Sequence, residues 1–159
     1  MHKQNGKANS GLSARRSARA APPVTVLHVD DDPNDTELLR AAFSKARLPL
    51  IIHNAEDGEQ AIAYLNGQGS YANRQKYQLP ALVLLDLKLP GATGFEILEW
   101  VRTHPEFANL PVVVLSGSEL KADVQQAYAG GADSYLIKPM AFDGLVSLVK
   151  DISSTWLSA

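Results

Sequence analysis

The sequence contains no cysteine, which excludes disulfide bonds and metal sites built from thiolates. A chain without cysteine is compatible with a reducing compartment, and we expect a cytoplasmic location. No apolar run approaches the ~18–20 residues that a membrane helix needs, so no transmembrane segment and no membrane partner are expected. The basic residues near the amino terminus are not followed by an apolar stretch, so they do not resemble a secretory signal.

Two glycine-rich nucleotide-binding patterns are also missing. No GxGxxG follows a predicted strand, and no GxxxxGK[S/T] occurs anywhere in the chain. Without the first, the tight turn that brings a backbone against a dinucleotide is not predicted. Without the second, there is no phosphate-binding P-loop. These absences argue against a dinucleotide-dependent enzyme or a P-loop nucleotide hydrolase.

Charge is distributed unevenly along the 159 residues, whose net charge is −2. Residues 1–22 contain five Lys or Arg and no acid, so the remainder has ten Lys or Arg against 17 Asp or Glu. We expect residues 1–22 to be a disordered basic tail, since they are rich in Gly, Ser, Asn and Ala. Residues 23–159 have the length and composition of one globular domain.

Strand-like and helix-like segments alternate five times after residue 23. Short runs rich in Val, Ile and Leu predict strands at residues 24–29, 50–53, 81–85, 112–115 and 134–137. Amphipathic segments that predict helices follow each of them. Right-handed crossovers then lead to a three-layer α/β sandwich with a parallel sheet in the middle. Residues 66–78 are polar and rich in Gly, Asn and Gln, and they predict a long loop.

Local signals mark the ends of the helices. Asp32 before Pro33 predicts an N-cap followed by proline at the first helical position. Capping boxes are predicted at Asp57 with Gln60 and at Thr93 with Glu96. His104 before Pro105 predicts a helix end. The Gly130-Gly131 pair predicts the end of a helix over residues 119–129. Ala141 is a poor N-cap for the last helix.

Chemically active side chains come directly after four of the predicted strands. Asp30, Asp31 and Asp32 follow the first strand, Asp86 the third, Ser116 the fourth and Lys138 the fifth. Ligands of open α/β sheets bind outside the carboxyl ends of the strands. We therefore expect these side chains to meet in one crevice.

The gathered acids predict a cation at this crevice. Two carboxylates about 4 Å apart repel each other by roughly 1–4 kcal/mol, depending on the effective dielectric constant. Carboxylate ligands without His or Cys suit Mg²⁺. With Mg²⁺, the Lys138 ammonium and the Ser116 hydroxyl nearby, Asp86 is suited to attack a phosphoryl group as a carboxylate nucleophile. Asp32 is interpreted as a helix cap, and His28 and His53 as packed or edge residues.

Four motifs in order resemble the response-regulator receiver domain of two-component signalling: VLHVDDDPND, LLDLKLPG, VVVLSGSE and SYLIKPM. The resemblance extends from Val24 to nearly the carboxyl terminus. Each motif alone is weak evidence, whereas all four at strand ends are highly specific. The resemblance implies a flavodoxin-like fold whose five parallel strands have the order 2-1-3-4-5, with five helices.

The resemblance also implies roles for individual residues. Asp30 and Asp31 correspond to the acidic pair that holds Mg²⁺, and Asp86 corresponds to the phosphoacceptor. The Lys88 backbone carbonyl corresponds to a third protein ligand of the metal. Lys88 and Ser118 occupy positions at which the family tunes the loss of its phosphate.

Three further residues correspond to the parts that respond to phosphorylation. Ser116 matches the hydroxyl residue, Lys138 the lysine, and Tyr135 the aromatic residue that turns inward. The Lys138–Pro139 bond resembles a cis peptide of the family, which an X–Pro bond adopts at low cost.

The expected function is a stand-alone receiver that takes a phosphoryl group from a sensor histidine kinase onto Asp86. It has no DNA-binding domain in this interpretation, so it signals by contact with an unknown downstream protein. A homodimer through the fourth helix, fifth strand and last helix would be one such contact. The long loop at residues 66–78 resembles single-domain regulators that pair with phytochrome-type kinases.

Alternatives remain open. The protein could pass its phosphate onward to a histidine phosphotransfer protein as a phosphorelay intermediate. It could be an aspartate-based phosphatase, although such enzymes usually have a second acid where this chain has Lys88. It could also be an interaction module that is never phosphorylated. In our main interpretation it catalyses only its own phosphoryl transfer and dephosphorylation.

Overall fold

The computed structural model describes residues 23–157, and these form a five-stranded sheet covered by helices on both faces. The predicted basic tail at residues 1–22 lies outside the described residues. The strands are β1 Val24–Val29, β2 Leu50–Ala55, β3 Leu82–Leu85, β4 Val112–Ser116 and β5 Ser134–Ile137. The α-helices are α1 Pro33–Lys45, α2 Gly58–Asn66, α3 Gly94–Thr103, α4 Lys121–Ala129 and α5 Phe142–Ile152. Single helical turns occur at Gly69–Tyr71, Pro105–Phe107 and Ser153–Leu157.

The strands pair in parallel in the order β2-β1-β3-β4-β5. This order confirms the predicted flavodoxin-like sandwich. Two hydrophobic cores lie on opposite faces of the sheet, and β1 contributes to both because its side chains alternate. Leu27 and Val29 pack with residues of α2, α3 and α4, whereas Val26 packs with residues of α1 and α5.

Three of the predicted helix starts are present in the structure, those of α1, α2 and α3. The Asp32 side chain accepts a hydrogen bond from the backbone N–H of Asn34 at 2.9 Å, and Pro33 is the first residue of α1. Thr93 and Glu96 form the complete capping box of α3. Asp57 caps α2, but the Gln60 side chain accepts from Glu56 N–H, one residue before the cap. These local interactions hold each helix start close to the end of the preceding strand.

Some element boundaries differ from the prediction. Helix α4 begins at Lys121 rather than Glu119, since Leu120 occupies its cap position and supplies no side-chain hydrogen bond. Strand β2 continues two residues further than predicted, because Asn54 and Ala55 still pair with the end of β1. Gly131, with φ of 105°, is the left-handed residue after α4, whereas Gly130 stays right-handed. Ala141 caps α5 without a side-chain hydrogen bond, as predicted.

The long loop at residues 66–78 packs against the sheet edge through an aromatic cluster. Tyr64 is fully buried there, and its ring centroid lies 5.1 Å from that of Tyr71 and 5.9 Å from that of Tyr77. Burial raises the pKa of Tyr64 to about 12. Arg74 donates to the backbone carbonyls of Leu65 and Tyr77. The aromatic cluster and the Arg74 hydrogen bonds therefore hold the loop in place, which the polar composition of the loop did not predict.

None of the helices within residues 23–157 has the length and apolar character needed to span a bilayer.

Candidate functional site

The carboxyl ends of four strands bring the predicted site residues together. Backbone hydrogen bonds continue the sheet to the site, from Asp86 N–H to the Val29 carbonyl at 2.9 Å and from Lys138 N–H to the Ser116 carbonyl at 2.8 Å. These bonds fix the backbones from which Asp86 and Lys138 project. The hydrogen bonding of the sheet therefore sets the backbone positions on both sides of the crevice.

Three carboxylates converge at the centre of this crevice. Asp30, Asp31 and Asp86 each offer an oxygen atom, and these atoms lie within 4.8 Å of one another. Asp30 and Asp86 are buried, whereas Asp31 is exposed. Such a set of hard oxygen donors fits Mg²⁺, which is bound by one or two carboxylates together with waters and phosphate oxygens. Asp32 is not one of these three and caps α1 instead, as predicted.

Lys138 contacts three carboxylates at once. Its ammonium nitrogen lies 2.9 Å from Asp30 Oδ2, 3.1 Å from Asp86 Oδ2 and 3.1 Å from Asp35 Oδ2. Partial burial by itself lowers the pKa of Lys138, but the hydrogen bond to Asp30 and the charge of Asp86 outweigh it, so the net pKa is raised. The lysine is therefore a fixed positive charge at the site.

Asp35 is a site residue that the sequence interpretation missed. It lies in the first turn of α1, four residues after Asp31. An acid in the first turn of a helix that starts at the strand end was the available signal.

His28 lies beneath the carboxylates in β1. Its Nδ1 atom is 2.8 Å from the Thr36 hydroxyl, and its Nε2 atom is 3.6 Å from Asp30 Oδ2. Among the buried side-chain atoms of residues 23–157, only His28 Nε2 lacks a hydrogen-bond partner. Burial, followed by the charge of Lys138, lowers the pKa of His28 to about 4. The imidazole is therefore neutral at pH 7, in agreement with its interpretation as a packed residue.

Ser116 and Tyr135 meet at the loop between β4 and α4. The Ser116 hydroxyl oxygen accepts a hydrogen bond from Ser118 N–H at 3.1 Å, and the Tyr135 hydroxyl donates to the Ser118 carbonyl at 2.8 Å. Ser118 also donates its own hydroxyl proton to Asp123 Oδ2 at 2.6 Å, which ties the loop to α4. Half-buried Tyr135 packs against the core on the α2–α4 face. The loop thus connects β4, β5 and α4.

The start of α3 lies unusually close to the Asp86 backbone. A Cβ atom placed on Gly94 would lie 2.4 Å from the Asp86 carbonyl oxygen and 2.7 Å from the Leu87 Cα atom. Gly94 N–H donates to the Leu87 carbonyl at 3.0 Å, and Lys88 N–H donates to Asp86 Oδ1 at 3.3 Å. Glycine at this position therefore lets the helix support the loop that contains Asp86. The role of the Lys88 carbonyl as a metal ligand stays a prediction.

The predicted cis bond before Pro139 is wrong. All peptide bonds within residues 23–157 are trans, and the Lys138–Pro139 bond is among them. Trans is the preferred form of an X–Pro bond by about 0.5–1 kcal/mol. Lys138 reaches its three carboxylate partners with the trans bond, so the contacts at the site do not require the cis form.

The family model of the response regulator receiver domain matches residues 26–150. The protein therefore belongs to the response regulator receiver domains of two-component systems, which are signalling domains. Phosphorylation on an aspartate and Mg²⁺ or Mn²⁺ binding at an acidic pocket are general properties of this family.

The chain is similar over most of its length to proteins of about the same length. It is 34% identical over 150 residues to the probable methanogenesis regulatory protein FilR2 of Methanothrix harundinacea, covering 92% of each chain. It is 33% identical over 141 residues to the response regulator Rcp1 of Synechocystis, covering 89% of this chain and 94% of Rcp1.

Solved structures agree with the fold. The crystal structure of the phosphorylated cyanobacterial phytochrome response regulator RcpA matches with a TM-score of 0.78 and 34% identity, covering 86% of this chain and 96% of RcpA. The Mn²⁺-bound form of Rcp1 matches with a TM-score of 0.75 and 32% identity, over 86% of this chain and 96% of that structure.

Proposed function

We propose that this protein accepts a phosphoryl group on Asp86 from a sensor histidine kinase and signals through protein–protein contacts. The observation that supports the proposal most directly is the convergence of Asp86 with Asp30 and Asp31 on one side and with Lys138 on the other. An acidic trio alone would repel an anionic phosphoryl group. A lysine in hydrogen-bond contact with the proposed nucleophile makes phosphoryl transfer favourable.

Asp30, Asp31 and Asp86 would hold Mg²⁺, and the Mn²⁺-bound form of Rcp1 supports a divalent cation in this site. The cation supplies charge stabilisation to the oxygens of the transferred group. A carboxylate oxygen of Asp86 attacks phosphorus, an O–P bond forms, and the bond from phosphorus to the kinase histidine breaks. Lys138 then has a phosphoryl oxygen to contact, and the Ser116 hydroxyl is available as a further donor.

The signal would leave through the β4–α4 loop. If Ser116 turns its hydroxyl toward the phosphoryl group, the hydrogen bond from Ser118 N–H changes, and with it the contacts of Ser118 with Tyr135 and Asp123. These contacts connect the site to α4 and β5. The face formed by α4, β5 and α5 would then bind a second copy or a downstream target. Exposed Tyr128, Ile137 and Phe142 lie on these elements or at their ends.

The partner kinase is proposed to be of the phytochrome type. RcpA is a cyanobacterial phytochrome response regulator, and the chain covers 96% of its structure. The response regulator Rcp1 is likewise matched over 94% of its length. A cytoplasmic location, typical of the family, and a receiver domain over residues 23–159 belong to the same proposal.

Phosphorylation with a small phosphodonor tests the site. Incubation of the parent protein with acetyl phosphate and Mg²⁺ should add one base-labile phosphoryl group, measured by intact mass spectrometry. Asp86→Asn should remove the label, and Asp151→Asn, which removes an exposed acid on α5, should retain it. Labelling that persists in Asp86→Asn would exclude Asp86 as the acceptor.

The same experiment separates the alternatives. Continuous release of inorganic phosphate over many turnovers would indicate an aspartate-based phosphatase. Failure to label the folded parent protein would indicate an interaction module. Transfer of the label from Asp86 to a purified histidine phosphotransfer protein would indicate a phosphorelay intermediate.

A further inference from the structure

Lys138 has three N–H donors, and each has a carboxylate partner. Asp30 and Asp86 also belong to the trio that fits a divalent cation, whereas Asp35 does not. Asp35 is thus the one partner of Lys138 whose charge is not shared with the metal site. Asp35 can therefore bind Lys138 without also serving as a metal ligand, unlike Asp30 and Asp86.

We infer that Asp35 is a positioning residue that holds the Lys138 ammonium on the α1 side of the crevice, so that lysine and Mg²⁺ occupy the site together. The inference rests on the proposed function, since it assigns Asp35 to the site proposed for Mg²⁺ and phosphate. It adds a residue outside the acidic trio and a reason for its presence.

The charges at the site explain why such a residue is needed. In the metal-free site, Lys138 is attracted by the same carboxylates that bind the cation, so the ammonium and the cation compete for Asp30 and Asp86. Asp35 lies outside the trio and supplies part of the attraction on Lys138. Less of that attraction then has to come from the carboxylates that bind the metal. Without Asp35, all of the carboxylate attraction on the ammonium would come from Asp30 and Asp86, to which it already donates, and the ammonium would oppose cation binding more strongly.

The apolar side chains next to Lys138 offer no hydrogen bond to its ammonium. A cavity of about 70 Å³ lies next to Lys138, between α1, β4 and α5, and Asp35 is among the residues that line it. Leu38, Leu115 and Leu145 contribute apolar surface to the same cavity and offer no hydrogen bond. The hydrogen bonds of the ammonium all go to carboxylates, and Asp35 accepts the one that reaches α1.

The location of Asp35 suits this role. Asp32 caps α1 and Pro33 begins it, so the backbone of the first turn is well defined at Asp35. The Asp35 side chain is 37% exposed, so its removal leaves no buried void. Its loss should therefore change the site without unfolding the domain.

The first test is Mg²⁺ binding by isothermal titration calorimetry. Asp35→Ala should weaken Mg²⁺ binding by up to about fivefold, the upper end of the range expected for a partly exposed ion pair. The matched control is Glu37→Ala, which removes an acid two residues away on the same helix whose partner is Arg40. This control should bind Mg²⁺ as the parent does.

A double-mutant cycle with Lys138→Met separates positioning from a simple charge effect. If Asp35 acts through Lys138, Asp35→Ala should weaken Mg²⁺ binding by less than half as much, on a logarithmic scale, in the Lys138→Met background. An equal loss in both backgrounds would show that Asp35 acts on the cation only through its charge, and would overturn the inference. So would unchanged binding in Asp35→Ala.

A measurement on the metal-free protein does not depend on the double variant. The Lys138 ammonium signal in a ¹H–¹⁵N NMR spectrum should shift or broaden in Asp35→Ala and stay in place in Glu37→Ala. An unchanged signal in Asp35→Ala would overturn the inference. If the parent bound no Mg²⁺ and accepted no phosphate, the proposed function would fail, while the NMR result would still show whether Asp35 positions Lys138.

Discussion

The first residue of α3, Gly94, approaches the carbonyl oxygen of Asp86 so closely that a Cβ atom would lie 2.4 Å from it. Real Cβ contacts do not reach this distance, so any other residue at position 94 must displace the Asp86 loop or the helix. A residue eight positions from the proposed phosphoacceptor is therefore coupled to it through backbone contact. The relationship links the packing of α3 to the chemistry of the site.

Gly94→Ala should destabilise the domain by about 1–3 kcal/mol, the usual range for overpacking a tight contact. It should also slow labelling of Asp86, because the backbone at residue 86 is displaced. Urea unfolding and the labelling rate measure the two effects. Gly117→Ala is the control for stability, since a Cβ atom there meets nothing within 4 Å. Equal unfolding free energies for the two variants would contradict this account.

Asp31→Asn should have opposite effects on stability with and without Mg²⁺. In EDTA, removal of one carboxylate relieves repulsion with Asp30 and Asp86, and the free energy of unfolding should rise by up to about 1 kcal/mol. With Mg²⁺ in excess the variant should be less stable than the parent, because weaker cation binding stabilises the folded state less.

Thermal unfolding in the two buffers measures the reversal. The control is Asp32→Asn, which removes a neighbouring charge but keeps a side chain that caps α1. It should show no reversal. A parent protein whose stability did not respond to Mg²⁺ would contradict the metal site itself.

His28 should make the stability of the domain depend on pH between about 7 and 4. Its folded pKa is lowered to about 4 from the usual 6.5, so below pH 6.5 the unfolded chain takes up a proton that the folded protein excludes. The unfolded state binds more protons in this window, and the free energy of unfolding therefore falls as the pH falls. The full effect of this shift is about 3 kcal/mol.

His28→Gln removes that contribution. In EDTA, the loss of unfolding free energy between pH 7 and pH 4.5 should be about 2 kcal/mol smaller in the variant than in the parent. Chemical unfolding at the two pH values measures it. His53→Gln is the control, since burial also lowers the pKa of His53 but that side chain is only half-buried. An equal loss in the parent and His28→Gln would be inconsistent with a buried neutral imidazole.

Tyr135→Phe should cost about 1 kcal/mol of stability, because it removes the 2.8 Å hydrogen bond to the Ser118 carbonyl while it keeps the ring. The β4–α4 loop should become more mobile, which amide hydrogen exchange at Ser118 and its neighbours would detect. Tyr128→Phe removes an exposed hydroxyl that accepts from Tyr135 N–H at 3.1 Å, and it should cost less. Unchanged exchange in Tyr135→Phe would argue against a connection through this hydroxyl.

Local sequence patterns predicted the strands and helices better than they predicted the contacts between those elements. Strand β5 was placed at its observed residues, and the Thr93–Glu96 capping box was recognised from two residues. Such signals succeed because they depend on neighbours within one helical turn or one strand. The predicted boundary of α4 was wrong because its cap position is occupied by Leu120, which gives no local signal.

The missed residues are those whose role depends on distant parts of the chain. The contacts of Asp35 with Lys138, and of Gly94 with the Asp86 backbone, form only when α1 and α3 pack against the sheet. The aromatic anchor of the 66–78 loop forms only when Tyr71 and Tyr77 pack on Tyr64 and His53. None of these contacts is encoded by a short motif.

The order of strands and helices and the set of side chains at the strand ends could be predicted from the sequence, since periodicity, capping and parallel-sheet topology are local or general rules. Which of those side chains touch depends on how the elements pack. The fold placed Lys138 among three carboxylates rather than two, left the bond before Pro139 in the trans form and turned Tyr135 toward Ser118. Distances of a few ångströms between segments far apart in the chain depend on how whole helices pack, and packing is a property of the complete fold.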